Sequence, residues 1–387
     1  MGKTKKILFT TENVTWGGSE LLWSKTVLEF VKRDCTIGIC VNQKLQLPEW
    51  ISLLESDKRI SIYKTPVSAL SKTKQLANKL LPYKFRLKPK NKRQEFISAF
   101  KPDLLVINQG FNFNGVDLMA FAIQSKINYV TISHAVNEGM WPDLNLRKKM
   151  VSGFCKSQKN YFVSQDNLEV TESQLGCRLQ NNEVIRNPFN VPFDADFEYP
   201  IQENYHLACV GRLDFYSKGQ DVLLRVLSQE KWKQRNLVVN FYGEGKDLGN
   251  LKDLIELYKI KNAIIHPHSD TIAIWKNNQA LVLTSRFEGL PLVLVEAMLC
   301  KRLAIITNVS GNKELIQDNQ TGFIAAAPRP EYVDEAMERA WQVRENWQQI
   351  GEAARCGLIQ QIPENPALVF ADKLIAILNG KNESHVF

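Results

Sequence analysis

The sequence predicts an α/β protein with two doubly wound domains that face each other across a cleft. The chain has 387 residues, which is enough for two domains with separate cores. Short apolar runs alternate with amphipathic segments, a pattern typical of parallel strands joined by helices. The alternation stops at residues 186–203, where Pro188, Pro192 and Pro200 interrupt regular structure, and it then restarts.

Apolar runs in the first half predict strands, and the amphipathic stretches between them predict helices. The predicted strands are Lys6–Thr11, Thr36–Val41, Ile60–Tyr63, Leu104–Asn108, Tyr129–Ser133 and Asn160–Val163. The predicted helices include Ser19–Lys32, Val116–Gln124 and Asp166–Leu175. We therefore place the first domain at residues 1–190.

The second half repeats this pattern, and we place the second domain at residues 200–365. Its predicted strands are His206–Val210, Leu237–Tyr242, Ala263–His266, Ala280–Leu283 and Leu303–Thr307. A last helix, at residues 366–380, is expected to pack back on the first domain. Because ligands of doubly wound sheets bind beyond the carboxyl ends of the strands, the predicted site is the cleft.

The positive charge of the chain is concentrated in one segment. The chain has 49 Lys and Arg residues against 41 Asp and Glu residues, a formal net charge of +8. Residues 60–94 hold ten of the basic residues and no acidic residue, which leaves 39 basic against 41 acidic residues elsewhere. The part of this segment at 64–93 fits either a solvated helix and loop or adsorption to an anionic membrane, which we favour. No RNA-binding signature is present, so we expect no nucleic-acid partner.

Cysteine usage and hydropathy suggest a cytoplasmic protein. The seven cysteines are odd in number and several lie in apolar runs, so we expect reduced core residues. No apolar stretch reaches the roughly 18 to 20 residues of a transmembrane helix. The run that follows the basic N-terminus is too short for a signal peptide. Any membrane contact is therefore expected to be peripheral, at the inner face of the cell membrane.

Residues 284–300 combine an apolar helix pattern with an isolated carboxylate. Pro291 suits the first position of a helix, where its missing N–H costs nothing. Glu296 is the one charged residue from position 290 to 300, and a carboxylate in a buried helix needs hydrogen-bond partners. Those partners are either backbone or Arg donors of the protein, or ligand hydroxyls, which we favour.

The neighbouring residues strengthen this interpretation. Glu288 supplies a second carboxylate on the loop above, and a carboxylate can accept hydrogen bonds from two vicinal sugar hydroxyls. The N–H groups of Gly289 and Leu290 would favour an anion such as a diphosphate at the helix N-terminus.

Two cations are predicted at the carboxyl edge of the second sheet. Arg212 lies just past a strand and Lys218 follows six residues later, where the next helix is expected to begin. Such a pair can neutralise a diphosphate leaving group in place of a metal ion. The alternative is an ordinary surface Arg and Lys.

Four segments in this order resemble the nucleotide-binding domain of family 4 glycosyltransferases, retaining enzymes of the GT-B fold with two facing Rossmann-like domains. They read GRLDFYSKGQDVLL, YGEGKDL, FEGLPLVLVEAM and SGNKELIQDNQTGFI, and they cover roughly residues 205–325. Glu288 and Glu296, with seven residues between them, match the paired-glutamate motif of that family.

The resemblance implies a role for each matching residue. Glu288 would contact the donor sugar and Glu296 the ribose, while Arg212 and Lys218 would hold the diphosphate. Residues 289–291 would form the loop under the phosphate and sugar. The implied donor site consists of Gly17, Gly18, Arg212, Lys218, Gly243, Glu244, His266, Glu288, Gly289, Leu290, Pro291 and Glu296.

The N-terminal half matches the family more loosely. Gly17 and Gly18 open the first helix and would let the backbone approach a ligand, although an ordinary turn is the alternative. His134 follows a strand, and the family places a histidine here against the transferred sugar, so we count it with Glu288, Arg212 and Lys218 as catalytic. The acceptor candidates near it are Asn137, Glu138 and Trp141.

Three further patterns give only weak indications of dinucleotide or metal binding. Gly243, Gly245 and Gly249 resemble a dinucleotide fingerprint, but Leu248 stands where its third glycine belongs. Asp194 and Asp196 have the form of a metal motif, but they lie in the proline-broken linker. His266 and His268 flank Pro267 without a third metal ligand, so a loop near the nucleotide base is favoured.

The expected function is transfer of a hexose or N-acetylhexosamine from a nucleotide diphosphate, UDP before GDP, to a glycan or lipid-linked glycan. Such acceptors belong to the synthesis of cell-surface polysaccharide, lipopolysaccharide or glycoconjugates. The resemblance implies no cofactor and no metal, with residues 1–190 binding the acceptor and residues 200–365 the donor. The alternatives are a nucleotide-sugar epimerase or hydrolase of the same fold, and a non-catalytic subunit that binds sugar nucleotide.

Overall fold

Two parallel β-sheets form the framework of the chain. The computed structural model describes residues 4–66, 91–267 and 269–380. In this part of the chain the first sheet has the strand order β3-β2-β1-β4-β5-β6-β7 and the second the order β10-β9-β8-β11-β12-β13. All strand pairs in both sheets are parallel. The predicted fold of two doubly wound domains is therefore confirmed.

The strands of the first sheet are β1 Lys5–Thr11, β2 Cys35–Asn42, β3 Ile60–Thr65, β4 Leu104–Gln109, β5 Tyr129–Ser133, β6 Lys159–Phe162 and β7 Asn182–Val184. The helices described in this half are α1 Gly18–Val31, α2 Glu49–Ser52, α3 Lys92–Phe100, α4 Val116–Gln124, α5 Leu144–Lys156 and α6 Gln165–Leu175, with a 3-10 turn at Leu53–Ser56.

The strands of the second sheet are β8 Tyr205–Val210, β9 Leu237–Tyr242, β10 Ala263–His266, β11 Ala280–Leu283, β12 Leu303–Thr307 and β13 Phe323–Ala325. The helices here are α7 Phe215–Lys218, α8 Gln220–Leu227, α9 Glu230–Lys233, α10 Leu248–Leu257, α11 Thr271–Asn277, α12 Leu292–Leu299, α13 Asn312–Leu315, α14 Pro330–Gln342, α15 Trp347–Leu358 and α16 Pro366–Leu378, with a 3-10 turn at Arg344–Asn346. Residues 185–204, between the two sheets, contain neither helix nor strand.

Helices cover both sheets, so the central strands are apolar on both faces. Every residue of β4, β5, β11 and β12 is buried. This explains why these strands can be recognised as continuous apolar runs. The helix α12 is also buried along most of its length, and its helical turns begin at Leu292 rather than at Pro291, which occupies the cap position instead.

The C-terminal helix α16 lies on the first sheet, next to α1. Phe370, Ala371 and Leu374 are buried in the same core as residues of α1 and β1. The ring of Phe370 meets that of Tyr161 on β6 edge to face, with 5.0 Å between centroids. The chain thus returns from the second sheet to complete the core of the first.

The structure tests the prediction that the cysteines are reduced core residues. All seven cysteines have free thiols, but Cys155 and Cys356 are exposed, so the prediction that they lie in the core is wrong for these two.

Most of the basic segment at 64–93 lies outside the described residues, which end at residue 66 and resume at residue 91. Among the described residues, no helix is both long and apolar enough to cross a membrane.

We expect Leu374→Ala to lower the free energy of unfolding by about 2–5 kcal/mol, because it empties a fully buried position between α16 and the first sheet. Leu368→Ala, on an exposed face of the same helix, is the matched control and should change stability by less than about 0.5 kcal/mol. Denaturant unfolding of both variants measures the difference. Equal effects would show that α16 does not belong to this core.

Candidate active site between the two sheets

The carboxyl ends of the two sheets face each other, and the loops at these ends are in close contact. A Cβ atom on Gly289, after β11, would collide with the main-chain oxygen of His134, after β5. A Cβ atom on Gly311 would lie 2.6 Å from Cβ of Ser164. The rings of Phe111 and Phe287 also meet across the cleft, with 5.9 Å between centroids. The structure therefore brings the two predicted halves of the site together.

Glu288 and Lys218 form an ion pair at the centre of this region. Glu288 is 8% exposed, and its Oε1 lies 2.5 Å from Lys218 Nζ and 2.7 Å from Ser285 Oγ. Its main-chain N–H donates to Ser310 Oγ at 3.1 Å. An ammonium group has three N–H donors, so the pair leaves Lys218 able to bind a ligand oxygen as well. Lys218 ends the short helix α7, whereas the sequence predicted it at the beginning of a helix.

Arg212 supplies the second cation of this region. Its side chain is exposed, and no hydrogen bond or ion pair joins it to another described residue. The main-chain N–H groups of Gly289 and Leu290 also have no acceptor among the described residues. The Arg212 side chain and these N–H groups are therefore free to meet an anion.

Glu296 has hydrogen-bond donors of the protein, which is the first of the two interpretations of the buried carboxylate. Its Oε1 accepts hydrogen bonds from the main-chain N–H and the side-chain Nδ2 of Asn190, at 3.0 and 2.9 Å. Burial raises the pKa of Glu296 above its ordinary value, although these bonds and the charge of Lys25 oppose the rise. Its Oε2 has no hydrogen-bond partner in the described part of the chain, so the linker satisfies one oxygen only, and ligand binding at the other stays a prediction.

The glycine pair of the first domain has a neighbour that the sequence did not predict. A Cβ atom on Gly18 would lie 3.0 Å from Cδ1 of Leu292, at the start of α12, so Gly18 permits contact between the two domains. Gly17 caps α1 and has open space beside it.

Glu20, also in the first turn of α1, is a buried residue that sequence reasoning missed. Its two oxygens accept from Asn13 Nδ2 and Ser19 Oγ, each at 2.6 Å, and burial raises its pKa. A carboxylate at this position already compensates the positive end of α1. Its position three residues after the cap was the available sequence signal.

His134 is a neutral imidazole in this structure. It is buried, and burial lowers its pKa to about 3. One ring nitrogen, Nε2, lies 2.7 Å from Oδ1 of Asn108, and the other, Nδ1, has no hydrogen-bond partner. The ring is therefore suited to hydrogen bonding rather than to carrying a charge.

The predicted acceptor residues lie on the loop after His134. Gln174 Nε2 holds this loop by donating to the main-chain oxygens of Asn137 and Met140, at 3.0 and 2.7 Å. Trp141 is 65% exposed, and its Nε1 donates to the main-chain oxygen of Glu138.

An aromatic ring of the second domain reaches this loop. Asn137 Nδ2 lies 3.4 Å from the hydroxyl of Tyr216, and the Tyr216 ring contacts Phe287 at 5.4 Å between centroids. The sequence did not single out Tyr216, Phe287 or Phe111, because an aromatic residue on a loop has no periodic pattern.

The remaining donor candidates lie at the ends of β9 and β10. Gly243 has a φ of 140°, and a Cβ atom there would collide with the main-chain oxygen of Gly211. The imidazole of His266 stacks on the ring of Tyr242, with 4.5 Å between centroids. Its Nε2 lies 2.9 Å from Asn240 Oδ1. Glu244, two residues after the end of β9, is exposed.

The residues considered for a metal do not form a metal site in the described structure. Asp196 pairs with Lys301 at 2.6 Å instead. His268 lies outside the described residues. No group of three or more His, Cys, Asp or Glu side chains among the described residues could hold a metal ion.

Part of the chain is similar in sequence to known glycosyltransferases. Residues 194–356 match the family described as "Glycosyl transferases group 1". An uncharacterised glycosyltransferase of Haemophilus influenzae is 32% identical over 125 residues, which are 32% of this chain and 35% of that protein. The Campylobacter jejuni α-1,4-N-acetyl-D-galactosaminyltransferase named for GalNAc-GalNAc-diNAcBac-PP-undecaprenol is 25% identical over 143 residues, 36% of this chain and 40% of that protein. The chain thus aligns with little more than a third of the length of these relatives.

The structural likeness extends over both domains. The crystal structure of Anabaena Alr3699/HepE in complex with UDP and glucose matches with a TM-score of 0.74 at 17% identity, covering 98% of this chain and 100% of that chain. The two facing parallel sheets are those of the GT-B fold. The likeness shows the GT-B fold, and residues 194–356 are similar to glycosyl transferases of group 1.

We expect Gly289→Ala to lower the free energy of unfolding by about 1–3 kcal/mol, because a Cβ atom there must displace the backbone of His134. Gly249→Ala, in helix α10, has nothing within 4 Å of the added atom and should be neutral or stabilising by up to about 1 kcal/mol. Chemical unfolding of both variants is the measurement. A neutral Gly289→Ala variant would contradict the close approach.

The pKa of His134 also predicts a pH dependence of stability. In the unfolded chain the ring takes up a proton near pH 6.5, whereas in the folded protein it does so near pH 3. The contribution of the neutral His134 ring to the free energy of unfolding is therefore complete above pH 6.5. It is lost as the pH falls toward 3, by up to about 1.4 kcal/mol per pH unit. Unfolding measured between pH 7 and pH 5 should show a shallower slope for His134→Gln than for the unmodified protein. Identical slopes would contradict the prediction.

Proposed function

We propose that this chain is a metal-independent, retaining glycosyltransferase, with the family 4 pattern of donor residues. It transfers a hexose or N-acetylhexosamine from a nucleotide diphosphate, UDP before GDP, to a glycan or lipid-linked glycan. The observation that carries the proposal is the placement of Arg212, Lys218 and Glu288 on the second sheet, opposite His134. These side chains provide cations for a diphosphate and a carboxylate for sugar hydroxyls in one small region.

The charges suggest how the donor would bind. The diphosphate would lie against Arg212, Lys218 and the free N–H groups of Gly289 and Leu290. Glu288 would keep its bond to Lys218 and accept a hydroxyl of the sugar. The ribose would lie at the open oxygen of Glu296, and the base would lie toward the stacked rings of Tyr242 and His266.

The proposed reaction is attack on the face from which the leaving group departs. The acceptor oxygen bonds to the anomeric carbon as the bond from that carbon to the diphosphate breaks, and the diphosphate oxygen takes the acceptor proton. Charge develops on the leaving group, where Arg212 and Lys218 stabilise it more strongly in the transition state than in the bound donor. No protein nucleophile is required by this scheme.

The relatives support the choice of substrates. The Anabaena structure contains UDP and glucose, and the name of the Campylobacter jejuni relative specifies an undecaprenol-linked glycan. The exposed ring of Trp141 and the polar groups of Asn137 and Glu138 suit a sugar acceptor at the edge of the cleft. Contact with the inner face of an anionic membrane through residues 64–93 remains part of the proposal, and it is based on the charge of that segment in the sequence.

We expect Glu288→Gln to reduce glycosyl transfer by at least about 100-fold, because it removes the charge that orients both Lys218 and the sugar. The matched control is Glu331→Gln, an exposed position in the first turn of α14. The assay uses a panel of UDP-, GDP- and ADP-sugars, scored by thermal shift and by release of nucleoside diphosphate with and without glycan acceptors, in the presence of EDTA.

The outcomes of this assay separate the candidate functions. Transfer by the unmodified protein in EDTA, with loss in Glu288→Gln alone, would support the proposal. Unchanged transfer in Glu288→Gln would overturn the assigned role. Turnover of donor that no acceptor accelerates would indicate a hydrolase or epimerase, and binding without turnover would indicate a non-catalytic subunit.

A further inference from the structure

Asn108 and His134 form a buried hydrogen bond at the carboxyl ends of neighbouring strands. Asn108 is the second-last residue of β4, and His134 directly follows β5, which pairs with β4 in parallel. The distance from Asn108 Oδ1 to His134 Nε2 is 2.7 Å. Both side chains are more than nine-tenths buried. Because water does not compete at such a site, this bond decides the state of the ring.

The amide of Asn108 is oriented by a third strand. Its Nδ2 donates to Oγ1 of Thr11, at the end of β1, over 3.5 Å. Oγ1 of Thr11 also accepts the main-chain N–H of Asn13 at 3.2 Å. With Nδ2 directed to Thr11, the oxygen of the Asn108 amide faces the imidazole. An amide oxygen only accepts, so Nε2 of His134 must carry the hydrogen.

This hydrogen bond determines what the other ring nitrogen can do. A neutral imidazole has one N–H, so a hydrogen on Nε2 leaves Nδ1 with a bare lone pair. Nδ1 is buried and has no hydrogen-bond partner in the described structure. A buried acceptor without a partner carries a desolvation penalty, which a bound hydroxyl group would remove.

We propose that Asn108 is a positioning residue that holds His134 as its neutral Nε2–H tautomer, so that Nδ1 accepts a hydrogen bond from a hydroxyl of the donor sugar. This inference rests on the proposed function, in which Glu288 binds the sugar on the side of the cleft opposite His134. A bare nitrogen lone pair attracts a hydroxyl group and repels the oxygens of a phosphate or carboxylate. Asn108 thus decides through His134 that this point of the cleft binds sugar rather than diphosphate.

The tautomer can be measured directly, without donor or acceptor. The 15N chemical shifts of the imidazole nitrogens in ¹⁵N-histidine-labelled protein distinguish a protonated from a bare nitrogen, and the His134→Gln spectrum assigns the signals. We expect Nε2 protonated and Nδ1 bare in the unmodified protein at pH 7. A hydrogen on Nδ1, or on both nitrogens, would overturn the inference.

Variants then test whether Asn108 is responsible. In Asn108→Leu the preference for Nε2–H should be lost, with both tautomers or the Nδ1–H form present. The matched control is Asn160→Leu, another fully buried asparagine of the same sheet, whose side chain bonds Thr131 and Phe154 instead. It should leave the His134 signals unchanged. Retention of the pure Nε2–H form in Asn108→Leu would overturn the role of Asn108.

Binding measurements link the tautomer to the sugar. Donor analogues that lack one hydroxyl at a time should include one that binds about tenfold more weakly than the parent donor to the unmodified protein. That difference should disappear in Asn108→Leu, whereas the affinity for the free nucleoside diphosphate should be unchanged. Deoxy effects at hydroxyls bound by Glu288 or Glu296 should survive in Asn108→Leu. An equal loss of affinity for the nucleoside diphosphate, or survival of every deoxy effect in Asn108→Leu, would overturn the inference.

These readouts separate the inference from the proposed function. If no donor is turned over but Nε2 of His134 is protonated through Asn108, the proposed function fails and the positioning of the ring is upheld. If transfer occurs normally and the tautomer is Nδ1–H, the inference fails and the proposed function is unaffected.

Discussion

The approach of Gly289 to the main chain of His134 is the constraint on which the site depends. Parallel strands end at one edge of each sheet, and here the two edges lie so close that there is no room for a Cβ atom on Gly289. The loop that carries Glu288 is thereby placed directly over the end of the first sheet. The short distance between the two domains also explains why Gly18 and Gly311 lie at this boundary, because a side chain at either position would meet an atom of the other domain.

The electrostatics of the region follow from which charges are already compensated. Glu288 is paired with Lys218, while Glu20 and Glu296 are buried among hydrogen-bond donors of the protein. Arg212 is left with an exposed charge, and the N–H groups before α12 have no acceptor among the described residues. A ligand that carries a negative charge at one end and hydroxyl groups at the other matches this distribution.

Much of the fold could be predicted from the sequence because buried parallel strands are continuous apolar runs. Most of their boundaries agree with the structure to within a residue or two. The two strands that were missed, β7 and β13, have three residues each, too few to give a pattern. Helix α5 was missed because it is rich in polar and basic residues and buries only a few side chains.

By itself, the sequence determined the two doubly wound halves, the break between them, and the set of Arg, Lys and Glu residues on the second sheet. Those features are local, because periodicity, proline positions and motif spacing are written along the chain. Only the tertiary structure decided that Lys218 pairs with Glu288, that the linker residue Asn190 bonds Glu296, and that Asn108 bonds His134. Each of these contacts joins residues distant in sequence, and their formation depends on how strands and loops are brought together by packing of the two cores.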